Sequence, residues 1–219
     1  MTQSGLISKL GSGIVEFLGT NTGFKGSTVI SNGNFKVNSQ TPYDGLVSVT
    51  NKGILSGTGI FGTVFVSDGG MISPGNSPGT LTVTNYIPSS TAIFGPIIEG
   101  TQAGLLHITG PTVTTLNGSV VVSIPQNQFS LYYPYLVLHA ENEITGVYSG
   151  VSVRHPLIKA NLTYSETDIS VTLFQNFAPF TDTTNQRHVA IQLDKLTDPR
   201  PHQLSLLNNL AALTVPQFH

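Results

Sequence analysis

Residues 75–79, Gly-Asn-Ser-Pro-Gly, match the Gly-x-Ser-x-Gly pattern in which serine hydrolases carry their nucleophile. Attack by Ser77 would need a backbone N–H directly after it for the oxyanion hole, and a helix leading away. The next residue is Pro78, which has no N–H to give. The chain then runs through Leu81-Thr82-Val83-Thr84, an alternation of apolar and polar residues that reads as a strand. Pro74-Gly75 and Pro78-Gly79 supply the fixed and the free φ of tight bends. Ser77 is therefore expected at a corner, with no nucleophilic role.

Three other groups of residues carry chemistry in principle. Gly57-Thr58-Gly59-Ile60-Phe61-Gly62 is a literal G-x-G-x-x-G. A dinucleotide site would open a helix there and place an acid about 20 residues on. Thr63-Val64-Phe65-Val66 instead continues as a strand, and Asp68 comes too early, so these are turn glycines. Of the six histidines, His107 and His139 fall in strands, His155 precedes a proline, and His188 and His202 lie in helical stretches. No pair has His-x-x-x-His spacing or a close carboxylate of the zinc-site kind. Glu141 and Glu143 are read as a solvated loop. Asn117-Gly118-Ser119 and Asn161-Leu162-Thr163 match the glycosylation pattern, which matters only in a eukaryotic secretory route. No catalytic, cofactor-binding or metal-ligating residue is assigned, no cofactor is implied, and the chain is expected not to be an enzyme.

The elements that would position such residues follow from composition. Only 9% of the 219 residues are charged, against 39% hydrophobic, and the chain holds 23 Gly and 13 Pro. Helix surfaces generally carry Lys, Glu and Arg, whereas Thr and Asn suit strands and turns, so the expected class is predominantly β. A net charge of −2 with scattered bases offers no face to nucleic acid. No apolar run approaches the roughly 20 residues of a membrane helix. The opening MTQSGLISKL shows no basic start and apolar core of a signal peptide, which fits a cytosolic protein or an internal piece of an exported one. The chain has no cysteine, which removes disulfides.

From residue 27 to about 175, short alternating strands are separated by Gly, Asn and Pro clusters. Val47 and Val49 recur as Val64 and Val66, then at the same spacing as Leu81 and Val83. A repeat this short suits one coil of a parallel β-helix, with equivalent apolar residues stacked in inward columns about 4.8 Å apart. Leu106 with Ile108, Val120 with Val122 and Ile124, and Leu136 with Leu138 extend the inward pattern. Residues 158–174 read as a hairpin around Ser165-Glu166-Thr167-Asp168, with Ile169, Val171 and Leu173 inward, suited to covering the open end of the solenoid. After residue 180, Thr183 or Thr184 can cap a helix striped by Val189, Leu193 and Leu196. Asp198-Pro199 would start a second helix, striped by Leu204, Leu207, Leu210 and Leu213, and Thr214 and Pro216 the beginning of a third. The leucine stripe needs an apolar surface, and that partner is read as missing from this sequence.

These segments, in this order, resemble the end of a bacterial autotransporter passenger. The resemblance rests on GILSGTGIFGTVFVSDGGMISPGNSPGTLTVTNY, IEGTQAGLLHITGPTVTTLNGSVVVSI, YLVLHAENEITGVYSG, LTYSETDISVTL and TTNQRHVAIQLDKL, and covers residue 46 to the end. It implies a single-stranded right-handed parallel β-helix with a hairpin cap over residues 1–180. Over 181–219 it implies a helical linker towards a membrane barrel that this sequence does not contain. It further implies a protein of the cell surface, or secreted, exported through a Gram-negative outer membrane. Its partners would be its own translocator barrel and upstream passenger coils. The segment would be a stem and folding nucleus, built around Tyr132, Tyr133, Tyr135, Phe174, Phe177 and Phe180. The alternative is an adhesin-type module for a host surface protein or glycan. A β-helical polysaccharide enzyme would need clustered acids and bases, and 11 acids and 9 bases are spread too thinly for that.

Overall fold

The computed structural model describes residues 5–19, 25–76, 78–126 and 128–213. Ser77, and the third-helix start at Thr214 and Pro216, lie outside the described residues. In chain order the first strands are β1 (Leu6–Lys9) and β2 (Ile14–Phe17), then the long β3 (Ser27–Val37) and β4 (Val47–Gly57). β5 (Ile60–Val66) and β6 (Met71–Pro74) follow, then β7 (Thr80–Pro88) and β8 (Ile93–Phe94). The small pair β9 (Ile98–Glu99) and β10 (Gln102–Ala103) precedes β11 (Leu105–Ile108), β12 (Thr114–Thr115) and β13 (Ser119–Val122). Then come β14 (Pro134–Ala140), β15 (Ile144–Thr145) and β16 (Val151–Val153), and the closing strands β17 (Ile158–Tyr164) and β18 (Asp168–Gln175). Helices α1 (Thr184–Asp194) and α2 (Pro201–Ala211) end the described chain.

Strand-to-strand pairing makes this a β-solenoid of about five turns. One face stacks β1, β3, β4, β5, β7, β11 and β14, every neighbour parallel. A second face stacks β2, β3, β4, β6, β8, β13 and β16, also parallel. Parallel neighbours require a crossover, and here the chain makes it by winding round. Side chains alternate in and out along each strand, so every second residue joins an inward column. Val47 and Val64 pair in register, as do Val49 and Val66, and all four are buried. Leu55, Ile72 and Phe94 fill the second face's column, fully buried. Each such side chain contributes about 1.5–3 kcal/mol of transfer free energy, but only because a neighbouring coil covers it.

The expected even repeat holds for one step and fails at the next. Val47 stacks on Val64, but Val64 pairs with Tyr86 rather than Leu81, and Val83 stacks on Phe61 rather than on Val66. The cause is connection length: residues 75–79 separate β6 from β7, where Thr58 and Gly59 alone separate β4 from β5. Gly75 N–H bonds the Gly57 carbonyl at 2.8 Å, and both glycines have left-handed φ, +91° and +105°. A Cβ on Gly75 would lie 2.5 Å from the Gly79 nitrogen, so the corner admits no side chain there. The windings lengthen further towards the C-terminus, where Thr80 pairs with Leu105 and Leu106 with Leu138. Strands also begin earlier than residue 27, since β1 and β2 already pair with β3.

The solenoid ends where the chain reverses. β18 runs antiparallel to both β14 and β17, the expected hairpin, with Ile169, Val171 and Leu173 all fully buried. Leu136 and Leu138 do not share a face. A bulge between them puts Val137 and Leu138 both inward and leaves Leu136 42% exposed. Thr183 caps α1 through a capping box with Gln186, but the helix turns Ala190 inward and leaves Val189 exposed. The second helix starts at Pro201 with Arg200 as its N-cap, not at Asp198-Pro199. Its leucine stripe has a partner within the chain: Leu207 and Ala211 are buried in the same core as the strands, with Leu204, Leu210 and Leu213 packed against it. No described helix is long and apolar enough to cross a membrane.

Candidate functional site at the capped end

The cap is held by buried polar groups that join strand to helix. Gln175, at the end of β18, is buried. Its Nε2 donates to the carbonyls of Leu193 and Leu196 at 2.6 and 3.2 Å, and its Oε1 accepts from the Tyr132 hydroxyl at 2.6 Å. Leu193 lies in the last turn of α1 and Leu196 just beyond it, so one amide ties the end of the helix to β18. The Asp194 carboxylate accepts from the Phe177 and Ala178 N–H groups, both at 2.9 Å, and Asn208 Oδ1 accepts from Leu131 N–H at 2.9 Å. Tyr132 sits edge-on to Phe174, with ring centroids 5.3 Å apart. Tyr135 and Phe177 are fully buried, whereas Tyr133 is 42% exposed. Burial raises the pKa of Tyr132 and of Tyr135, keeping both as neutral hydrogen-bonding groups.

On the outer surface beside this cap, the winding assembles a group of titratable side chains. The register aligns Thr82, His107, His139 and Asp168 across β7, β11, β14 and β18. The rings of His107 and His139 stack with centroids 5.4 Å apart. His107 Nε2 lies 3.0 Å from Glu141 Oε1, and His139 Nδ1 lies 2.6 Å from Asp168 Oδ1. Among the described residues, His107, His139 and Glu141 are brought together with one ligand-type atom each, all within 4.8 Å of one another. No sequence spacing signals this, because a whole winding of the chain separates the two histidines. The signal is the register: once Leu106 and Leu138 are equated as inward neighbours, the residues after them must be outward neighbours. Glu143 is not part of the group; its carbonyl accepts from Thr114 N–H at 3.0 Å.

The other candidate residues remain apart. Gly57 to Gly62 form the end of β4 and the start of β5, a turn between strands. His188 and His202 are exposed on the two helices. His155 is buried beside Phe129, its Nδ1 has no hydrogen-bond partner, and desolvation lowers its pKa. Tyr86 and Tyr148 bury their hydroxyls beside one another, and desolvation raises the pKa of both. Elsewhere, Asn34, Lys36, Ser56, Ser73, Asn76 and Arg154 line a shallow groove of about 340 Å³ along the second face. No protein-family model matches the chain, and a search of curated proteins finds no match.

Proposed function

We propose that this chain is the C-terminal part of an autotransporter passenger, a stem that also nucleates folding during export across the outer membrane. The observation that supports this reading is the difference between the two ends of the solenoid. The C-terminal end is closed by the antiparallel hairpin and latched by Gln175, Asp194 and Asn208. At the other end, β1 and β2 pair only with β3 among the described residues, and Leu6, Leu10, Ile14, Val15 and Leu18 are exposed. A segment emerging C-terminus first brings out the whole cap before the coils upstream of it, and each later coil needs only the coil below it. The exposed apolar edge suits further coils stacking upstream.

The test places the chain ahead of an outer-membrane translocator barrel in a Gram-negative host and measures surface exposure by protease accessibility. Leu138→Asp, in the cap, is expected to stall display, whereas Ile14→Asp, at the exposed edge, leaves it intact. Equal display of both variants would refute the folding role. A second reading, a binding module for a host glycan or surface protein, is favoured by the groove on the second face, where Lys36, Arg154 and amide and hydroxyl side chains lie among Ile54, Met71 and Ile97. It predicts saturable glycan binding that is lost in Arg154→Ala.

A further inference from the structure

We propose that His107, His139 and Glu141 form a site for a divalent transition-metal ion of the zinc class on the outer face of the solenoid. Parallel neighbours lie about 4.8 Å apart, so the pairing of His107 with His139 holds two imidazoles at a separation the backbone sets. A tetrahedral ion with bonds of about 2.0–2.1 Å spaces its ligand atoms about 3.4 Å apart. The three donors already lie within 4.8 Å, and His107 Nε2 and Glu141 Oε1 are at 3.0 Å. Rotation of partly exposed side chains closes the remainder without moving a strand.

Asp168 is the second, independent observation. Its carboxylate takes the Nδ1 side of His139 at 2.6 Å. An Nδ1–H donated there fixes the tautomer in which Nε2 carries the free lone pair. That is the carboxylate–histidine arrangement which orients and strengthens metal-binding imidazoles. The hairpin that closes the solenoid therefore supplies the residue that prepares the ligand. Two imidazoles and one carboxylate suit zinc and its neighbours, rather than magnesium or calcium, which take oxygen ligands, or cuprous copper, which takes sulfur. Three protein ligands at a partly exposed surface leave a fourth position for water.

The experiment titrates zinc chloride into the full chain, stripped beforehand with EDTA, by calorimetry, and records the visible spectrum of the cobalt(II) form. One saturable site and a tetrahedral cobalt spectrum are expected. His107→Ala, His139→Ala and Glu141→Ala should each weaken binding at least about tenfold, and Asp168→Asn about 10–100-fold. His188→Ala with His202→Ala should leave binding unchanged. Far-UV circular dichroism checks that each variant folds, and His107→Gln repeats the test with a residue of similar size. Absence of a saturable site, or unchanged affinity in the His107→Ala/His139→Ala double variant, would overturn the proposal.

Discussion

β2 and β18 both carry aliphatic residues, at opposite ends of one stack, and they fare differently. In β2, Ile14 is 69% and Val15 40% exposed. In β18, Ile169, Val171 and Leu173 are each 0% exposed. β2 pairs with one strand, β3, whereas β18 is sandwiched between β14 and β17 and has the helices at its end. Local β propensity is comparable, so the neighbours decide. In a solenoid, a coil's stability lies largely in its contacts with the next coil, and this stack is firm where it is closed and weak where it is open.

Paired substitutions sharpen the comparison. The largest effect is expected for Leu138→Ala, which removes a fully buried side chain at the bulge and should cost about 2–5 kcal/mol. Its counterpart at the open end, Val15→Ala, should change stability by no more than about 0.5 kcal/mol. Urea unfolding of both checks the contrast, and equal losses would break it. Gln175→Ala removes the hydrogen bonds from its amide to the Leu193 and Leu196 carbonyls and the one it accepts from the Tyr132 hydroxyl, an expected loss of about 1–3 kcal/mol. Because it removes one of the ties between helix and strand, limited proteolysis near residues 194–200 should be faster than in the wild type. Thr183→Ala removes the capping box of α1 and should cost about 1 kcal/mol, read as a lower thermal midpoint.

The smallest effect emerges only on acidification. Burial lowers the pKa of His155 below its ordinary value. The unfolded chain therefore takes up a proton near pH 6.5 while the folded chain does not. Its contribution to stability is fully present above that pH and is lost as pH falls from 6.5 towards the folded value. Comparing wild type with His155→Asn at pH 7.5 and 5.5 tests this: the wild type should lose more stability than the variant. No difference between them would remove His155 from the account.

The class of fold was legible because inward alternation and Gly-Pro bends recur along the chain whatever their exact spacing. The hairpin at residues 158–174 and the Thr183 cap were legible because each is built from residues close in sequence. What lay hidden depends on insert length. The step from Val64 to Tyr86 follows from the length of the connection between β6 and β7, and composition does not reveal how many residues a connection takes up. The same unknown concealed the alignment of His107 with His139, and with it the Glu141 and Asp168 partners. The bulge at Leu136–Leu138 breaks a period of two that the residue types keep. Val189 has the helical spacing of a core residue, but the side of α1 that meets β18 is chosen by the Gln175 and Asp194 contacts.

Native-state hydrogen exchange on the full chain tests the graded stability of the stack most directly. The slowest amides are expected in β14 and β18, with protection declining coil by coil to β1 and β2. Protection in β1 and β2 equal to that of β18, or lost from β18 first, would contradict it.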